Sequence, residues 1–298
     1  MTLQQLKYVV TVAECGNITE AAKQLIVSQP TVTSAIHDLE KEMQIVIFVR
    51  TNKGVILSED GERFLGHARQ VLEQVDLIEG IYKNDVASKP HFAVSCQHYS
   101  FAVNAFVDVI RRFDAYQYDF TIREEQTHEI IEDVTNLKSE LGVIYLSSKN
   151  KEVLSKMLKR NELEFTELFT ATPHVFICDS HPLAEKKSIT MDDLQDYPYL
   201  TYEQGEYNSQ YFSEEFVSTL DSRKNIRVRD RATLFNLIIG LNGYTVCSGV
   251  ISAELNGRNI ISKPLDVKEY MRIGIITRKG VVLSRYAREY IEALKAHC

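Results

Sequence analysis

The segment from residue 17 to residue 40 constrains the fold most, because it predicts two short helices joined by a tight turn. Thr19 is placed to cap the first helix and Ser28 to cap the second, with Pro30 in the first turn, where its missing N–H costs little. Apolar residues recur along the second helix at steps of four, three and four, on one inward face: Val32, Ile36, Leu39 and Met43. The segment predicts a helix-turn-helix; an ordinary antiparallel helix pair is the alternative.

Polar side chains at the start of the second helix remain on its outer face. They are short donors and acceptors of the kind that reach base edges in a major groove: Ser28, Gln29, Thr31, Thr33, Ser34 and His37. Two β-prone runs, 45–50 and 55–57, flank a polar turn that contains Gly54, which predicts a hairpin or wing. Arg50 and Lys53 lie on or beside this wing, where a cation can meet phosphate. We therefore predict a winged helix-turn-helix over residues 1–58 that binds DNA.

A long helix is predicted next, over residues 59–88. Ser58 can cap it, and its apolar residues follow at steps of 4, 3, 4, 3 and 4, as in a coiled-coil seam: Phe64, Ala68, Val71, Val75, Ile78 and Tyr82. The run is shorter than three to four heptads, so a single amphipathic helix packed on its own domain is the alternative. The sequence Ser88-Lys-Pro90 ends the helix.

From residue 89 to residue 298, apolar strands alternate with helical stretches. Strands are predicted near 92–96, 120–123, 141–146, 175–178, 199–202, 244–247 and 270–277, and helices near 100–115, 127–137, 232–241 and 284–296. Such alternation predicts an α/β fold with helices on both faces of a mostly parallel sheet.

The chain resembles the LysR-type transcriptional regulators. The resemblance is carried by the Ala21-Ala22 pair, Ser28-Gln29-Pro30, Leu39-Glu40, Phe48 with Arg50, and the run Leu57 to Gly61, and further on by His181 to Ala184 and Leu241 to Gly243. The chain departs from the family's usual residues at Ser34, Ala35, Asp38 and Gln44, which bears on the operator sequence that is read. The resemblance implies a dimerising linker helix, assembly into tetramers, and a two-lobed, periplasmic-binding-protein-like effector domain. Lobe I would be about 91–163 and 269–298, lobe II about 164–268, with links near Glu162 to Phe165 and Asp266 to Tyr270.

Ligands of α/β sheets bind beyond the carboxyl ends of the strands and near helix N-termini. The effector contacts of the family fall in the same loops. The ligand-binding residues predicted on these grounds are Gln97, His98, Tyr99, Ser100, Thr127, Tyr145, Thr201, Tyr202, Glu203 and Arg231. Ser100 and Thr127 are also plausible helix N-caps. Each Tyr or Thr taken alone is more often a half-buried packing residue, and Arg231 taken alone is a surface cation.

Charge and motifs exclude several function classes. The net charge is −7, and cations and anions balance within residues 1–58, so DNA affinity is expected to rest on a few clustered cations or on dimerisation. No GxSxG, GxGxxG, Walker A or HExxH motif occurs, so no catalytic residue is predicted. The five cysteines show no CxxC or zinc-ligand spacing, so no metal, cofactor or disulfide framework is predicted. With no leader and no apolar run of membrane-spanning length, we expect a cytoplasmic protein.

These features predict a sequence-specific DNA-binding regulator controlled by a small-molecule coinducer between the two lobes. Its partners would be an operator with dyad symmetry, the effector and further copies of itself. One alternative is a redox-responsive regulator of the same family that uses a cysteine thiol. Cys96 is the thiol beside the predicted cleft, but buried thiols on apolar strands are usually inert. A small-molecule-binding protein without DNA function is the alternative from another class.

Overall fold

The computed structural model describes residues 1–52, 54–83, 90–113, 117–205, 211–215, 223–252 and 256–297. The chain forms two compact units, one made mainly of residues 1–90 and the other mainly of the residues that follow. No helix in the described ranges combines the length and apolar character needed to cross a membrane.

The first unit begins with three helices and a hairpin: α1 (Leu3–Cys15), α2 (Ile18–Gln24), α3 (Gln29–Met43), β1 (Phe48–Thr51) and β2 (Gly54–Leu57). Ser28 caps α3 as predicted, accepting from the Thr31 N–H, with a proline in the first turn. The prediction for Thr19 is wrong, because Asn17 caps α2 and the Thr19 N–H is one of its donors. The four predicted inward residues of α3 are buried or half-buried, so α2 and α3 share a core with α1 and the hairpin.

Helix α4 (Glu59–Lys83) follows the wing directly. The Ser58 hydroxyl accepts from the Gly61 N–H at 2.9 Å, which confirms the predicted cap. Glu59, Asp60 and Glu62 in the first turn complement the helix dipole. The Ser88 part of the predicted helix end lies outside the described residues.

The first lobe of the second unit is built on five strands: β3 (His91–Cys96), β4 (Asp119–Glu124), β5 (Leu141–Leu146), β6 (Leu163–Ala171) and β12 (Met271–Arg278). They lie in the order β4-β3-β5-β12-β6. The helices that accompany them are α5 (Ser100–Arg112), α6 (Thr127–Thr135), α7 (Lys151–Arg160) and α9 (Arg285–Ala296). Strand β5 is buried at every residue, because helices cover both faces of the sheet.

The second lobe contains two smaller sheets and one long helix. Strand β7 (His174–Cys178) is the centre of a sheet with β10 (Thr245–Cys247) and β11 (Ile260–Pro264), and β8 (Tyr199–Tyr202) pairs in parallel with β9 (Asn225–Val228). An isolated bridge between Tyr199 and Tyr244 connects the two sheets. Helix α8 (Arg231–Leu241) packs on them.

Two expectations about this unit need correction. Within the described residues, neither of the two larger sheets is mostly parallel. The five-stranded sheet is mixed, since β12 is antiparallel to both β5 and β6, and the sheet of β7 is antiparallel, since β7 is antiparallel to both of its neighbours. The first link between the lobes follows Ala171 and not Glu162 to Phe165, because all of β6 pairs with β12. Polar residues alternate along β6, so the sequence does not predict this edge strand. Helices α1 and α7 and strands β9 and β11 are likewise not among the predicted elements.

Candidate functional site

The first unit carries a groove of about 540 Å³ between α3 and the wing. Gln29, Thr33 and His37, one turn apart along α3, line it together with Ser34. Arg50 lines its other side from β1, is exposed, and forms no ion pair with any residue that the structure describes. The α3 side of the groove therefore offers polar donors and acceptors together with the Glu40 carboxylate, and the wing side offers the Arg50 cation.

The remaining predicted DNA residues have different surroundings. The hydroxyls of Ser28 and Thr31 lie 2.7 Å apart in the cap of α3 and do not line the groove. The Gln29 amide donates to the Thr33 hydroxyl at 3.0 Å, which aligns both side chains along the helix. Lys53 lies outside the described residues.

Glu40 fixes the wing to α3. Its carboxylate accepts from the Ile47 N–H at 2.7 Å and from the Phe48 N–H at 3.1 Å, at the entry to β1. Its carbonyl accepts from the Ile45 N–H at 3.2 Å. One side chain thus sets the position of the strand that carries Arg50.

The seam predicted on α4 divides into two parts. Ala68 is buried, and Phe64 is half-buried against the core of residues 1–58, which form the DNA-binding head. Val71 and Ile78 are 39% and 58% exposed. The side chain of Tyr82 lies outside what the structure describes. Within the chain itself, Val71 and Ile78 therefore present apolar side chains to solvent, and Val75 between them is half-buried.

In the second unit, His98 connects the two lobes. It follows β3 of the first lobe, and its ring Nδ1 lies 2.8 Å from Oε2 of Glu214 in the second. Its backbone N–H donates to the same carboxylate at 2.9 Å, and its ring stacks on Tyr202 with centroids 3.8 Å apart. Burial lowers the pKa of His98, but the Glu214 carboxylate outweighs this effect and the pKa is raised.

A cavity of about 40 Å³ adjoins this contact. It reaches from the start of α5 across Tyr202 to α8 and β10, with Glu214 and Glu215 on its wall. Glu215 is 2% exposed, and burial together with the neighbouring Glu214 raises its pKa to about 8. Arg231, also in the wall, pairs with Glu124 at 3.1 Å; burial raises the pKa of Glu124 although Arg231 opposes the shift.

Half of the predicted ligand residues line this cavity: His98, Tyr99, Ser100, Tyr202 and Arg231. Ser100 is not an N-cap, since Tyr99 holds that position without a side-chain bond; the Ser100 hydroxyl lies 3.5 Å from the Val250 carbonyl instead. Glu203 pairs with Arg229 and does not line the cavity, nor does the half-buried Thr201.

The other predicted residues form a buried network behind the cavity. The Gln97 amide donates to the Thr127 hydroxyl at 2.7 Å, and its oxygen accepts from the Tyr145 N–H and the Tyr99 hydroxyl. The Thr127 hydroxyl donates to the Phe212 carbonyl at 2.7 Å rather than capping α6. These side chains hold strand ends in place.

Sequence reasoning missed Glu214, Glu215 and Thr245. Glu214 and His98 are 116 residues apart in the sequence, so no local pattern predicts their contact. Glutamate is common in this chain, so a Glu-Glu pair carried no signal. Thr245 lies on a short strand whose predicted role was packing alone.

Of the cysteines that the structure describes, Cys96 and Cys178 are buried and Cys15 and Cys247 are half-buried. Cys96 is fully buried and burial raises its pKa well above the usual value; burial also raises the pKa of Cys247. Cys15, Cys96, Cys178 and Cys247 are free thiols. In the described ranges no group of three His, Cys, Asp or Glu residues is placed to hold a metal ion.

A winged helix-turn-helix followed by a two-lobed binding domain defines a ligand-controlled DNA-binding protein. Residues 3–62 match the family described as "Bacterial regulatory helix-turn-helix protein, lysR family", and residues 95–298 match the "LysR substrate binding domain". The chain belongs to the LysR family and is a LysR-type DNA-binding transcriptional regulator with an effector-binding domain.

Known relatives agree with this assignment. The dual regulator OxyR of Escherichia coli K12 is 22% identical over 302 residues, covering 99% of this chain and 95% of OxyR. A full-length cysteine-to-aspartate variant of OxyR from Pseudomonas aeruginosa has a similar fold, with a TM-score of 0.64, 21% identity and coverage of 99% and 95%. The regulator CbnR in complex with its target DNA has a TM-score of 0.57 at 19% identity, with both chains fully covered.

Proposed function

We propose that this regulator reads operator DNA with the groove between α3 and the wing, and that a small molecule bound at the cavity in the second unit changes this reading. The observation that carries the proposal is the groove itself. It combines helix side chains of base-reading chemistry with Arg50 on a wing that Glu40 holds in place. The protein acts by binding rather than catalysis, in the cytoplasm.

Two copies are proposed to associate through α4. Val71 and Ile78 support this, because two exposed apolar residues one heptad apart suit a coiled-coil seam. A two-fold dimer places two heads on an operator with dyad symmetry, and pairs of dimers extend the contact. Two heads also add their contacts on two half-sites, which strengthens binding although residues 1–58 carry no net charge.

The effector is proposed to act on the contact between His98 and Glu214. A ligand that binds one arrangement of the lobes better shifts the population toward it, and coupling of about 1–3 kcal/mol is ordinary for such switches. The ligand contacts proposed are those that line the cavity, with Gln97, Thr127 and Tyr145 supporting them from behind.

The DNA proposal is tested by fluorescence anisotropy on operator and scrambled duplexes. The Thr33→Ala/Ser34→Ala double variant should lose preference for the operator, because base contacts specify. Arg50→Ala should weaken both duplexes equally and reduce the salt slope by about 1. Thr11→Ala is the matched control, since its hydroxyl bonds to the Lys7 carbonyl within α1. Equal loss on both duplexes from the double variant would refute the assignment.

A further inference from the structure

The cavity near β10 has a charge balance that restricts which ligands it can hold. Glu214 is matched by His98 and Arg231 is matched by Glu124, so these four groups form two pairs. Glu215 is different. Among the described residues its oxygens accept from neutral donors: the Tyr202 N–H at 2.7 Å, the Ser213 hydroxyl at 2.8 Å and its own backbone N–H.

Glu215 therefore carries no cationic partner within the described residues, although it is almost fully buried. A buried carboxylate without a counter-ion favours its neutral form. An anionic ligand would lie beside the Glu214 carboxylate and would disfavour ionisation of Glu215 further, so it gains nothing from either side chain. A cation would supply the missing partner.

Thr245 is an independent sign of a missing ligand. It lies on the cavity wall and is 4% exposed, and its hydroxyl has no hydrogen-bond partner among the described residues. Buried hydroxyls are rarely left without a hydrogen-bond partner in native proteins. A hydroxyl without a partner on a cavity wall therefore indicates that a bound group supplies the hydrogen bond. The volume of about 40 Å³ holds roughly three waters or one small polar group of similar size.

Aromatic and apolar side chains complete the wall. Phe176 and Phe235 pack edge to face with centroids 6.3 Å apart, and Leu234 and Val250 lie beside them. Ring faces attract cations and apolar side chains accept a short hydrocarbon.

We propose that the cavity binds a primary ammonium group carried on a short apolar skeleton, with the ammonium N–H groups donating to the Glu215 carboxylate and the Thr245 hydroxyl. The effector is thus a small amine rather than a carboxylic acid. This inference rests on the proposed effector role of the cavity. When the ammonium binds, protonated Glu215 gives its proton to solvent, so binding at pH 7 releases up to one proton.

The test uses isobutylammonium chloride, isobutanol and sodium isobutyrate as probes, because they share a branched skeleton and differ in charge. Calorimetric titration of the full-length protein at pH 7 should show that the ammonium binds and the carboxylate does not, with the alcohol weaker. Titration in phosphate and in MOPS, neither of which is a primary amine, should give different heats, since the released proton is taken up by the buffer. Tighter binding of isobutyrate than of isobutylammonium would overturn the proposal.

Variants locate the site. Glu215→Gln can accept from the Tyr202 N–H through its amide oxygen and donate to the Ser213 hydroxyl oxygen through its NH2 group. It should weaken isobutylammonium binding about tenfold or more, because a charge-assisted bond is lost. Thr245→Val should weaken it to a smaller extent and serves as the second variant should Glu215→Gln fold poorly. Glu203→Gln, outside the cavity wall, is the matched control and should bind like the parent protein. Unchanged binding in both Glu215→Gln and Thr245→Val would overturn the proposal.

Anisotropy with operator DNA on the same preparations separates this proposal from the one on which it rests. Operator binding without any amine response would refute the ammonium site and leave the regulator intact. Loss of sequence preference in the parent protein would refute the regulator itself.

Discussion

Replacing Glu40 with alanine should loosen the DNA-binding head, because this side chain joins the recognition helix to the wing. The substitution removes the acceptor of two backbone N–H groups. Ile47 is fully buried, so its amide would lose its partner without access to water, which costs about 1–3 kcal/mol. Phe48 is half-buried and its amide can bind water in part. The total expected loss in the free energy of unfolding of the head is about 2–4 kcal/mol.

Hydrogen exchange measured by mass spectrometry isolates the head within the full-length protein, where overall unfolding need not be two-state. A loss of about 2–4 kcal/mol corresponds to exchange about 30- to 700-fold faster in peptides from α3 and β2. Glu40→Gln keeps an uncharged acceptor and should show about half of the loss in free energy. Glu42→Ala is the matched control on the same helix, since Glu42 pairs with the N-terminal ammonium at an exposed site. Equal exchange in Glu40→Ala and Glu42→Ala would refute the reasoning.

Three further outcomes are expected. Ile26 has a φ of 56° and is 92% exposed, and asparagine adopts this left-handed conformation more readily than a β-branched residue does. Ile26→Asn should therefore raise the free energy of unfolding of the head by about 1 kcal/mol in urea titrations, whereas Val282→Asn, an exposed control without positive φ, should leave the free energy of unfolding unchanged. Because the pKa of Glu215 is raised to about 8, the contribution of this side chain to stability is greatest below pH 4.5 and is lost as the pH rises through 8. The melting temperature of Glu215→Gln should therefore exceed that of the parent protein at pH 8 and equal it near pH 4.5. A difference in melting temperature that does not change with pH would contradict this. Peroxide treatment should leave operator affinity unchanged, since Cys96 is fully buried with a raised pKa, and a peroxide response that disappears in Cys96→Ser would show the opposite.

Local signals made the head predictable and long-range contacts made the cavity unpredictable. Ser28, Pro30 and the spacing of the buried residues of α3 are contiguous, so a helix and its start can be read from a few residues. The meeting of Glu214 with His98 depends on how two lobes pack, which no periodicity encodes.

The strands show the same division. Strand β5 is apolar throughout, and its observed bounds match the predicted ones. Strand β6 alternates polar and apolar residues at the edge of the sheet, so the sequence predicts a link there and not a strand. The residue type alone predicts a cap at Ser100. In the structure Tyr99 is the cap and Ser100 is the first helical residue, one position later.

Footprinting of the full-length protein on DNA from its own upstream region, with excess non-specific competitor, tests the central claim most directly. Sequence-specific binding by paired heads predicts a protected site with two inverted half-sites, which the Thr33→Ala/Ser34→Ala variant no longer protects while Thr11→Ala still does. Protection that is uniform along the DNA, or that the double variant reproduces in full, would contradict the claim that α3 reads an operator.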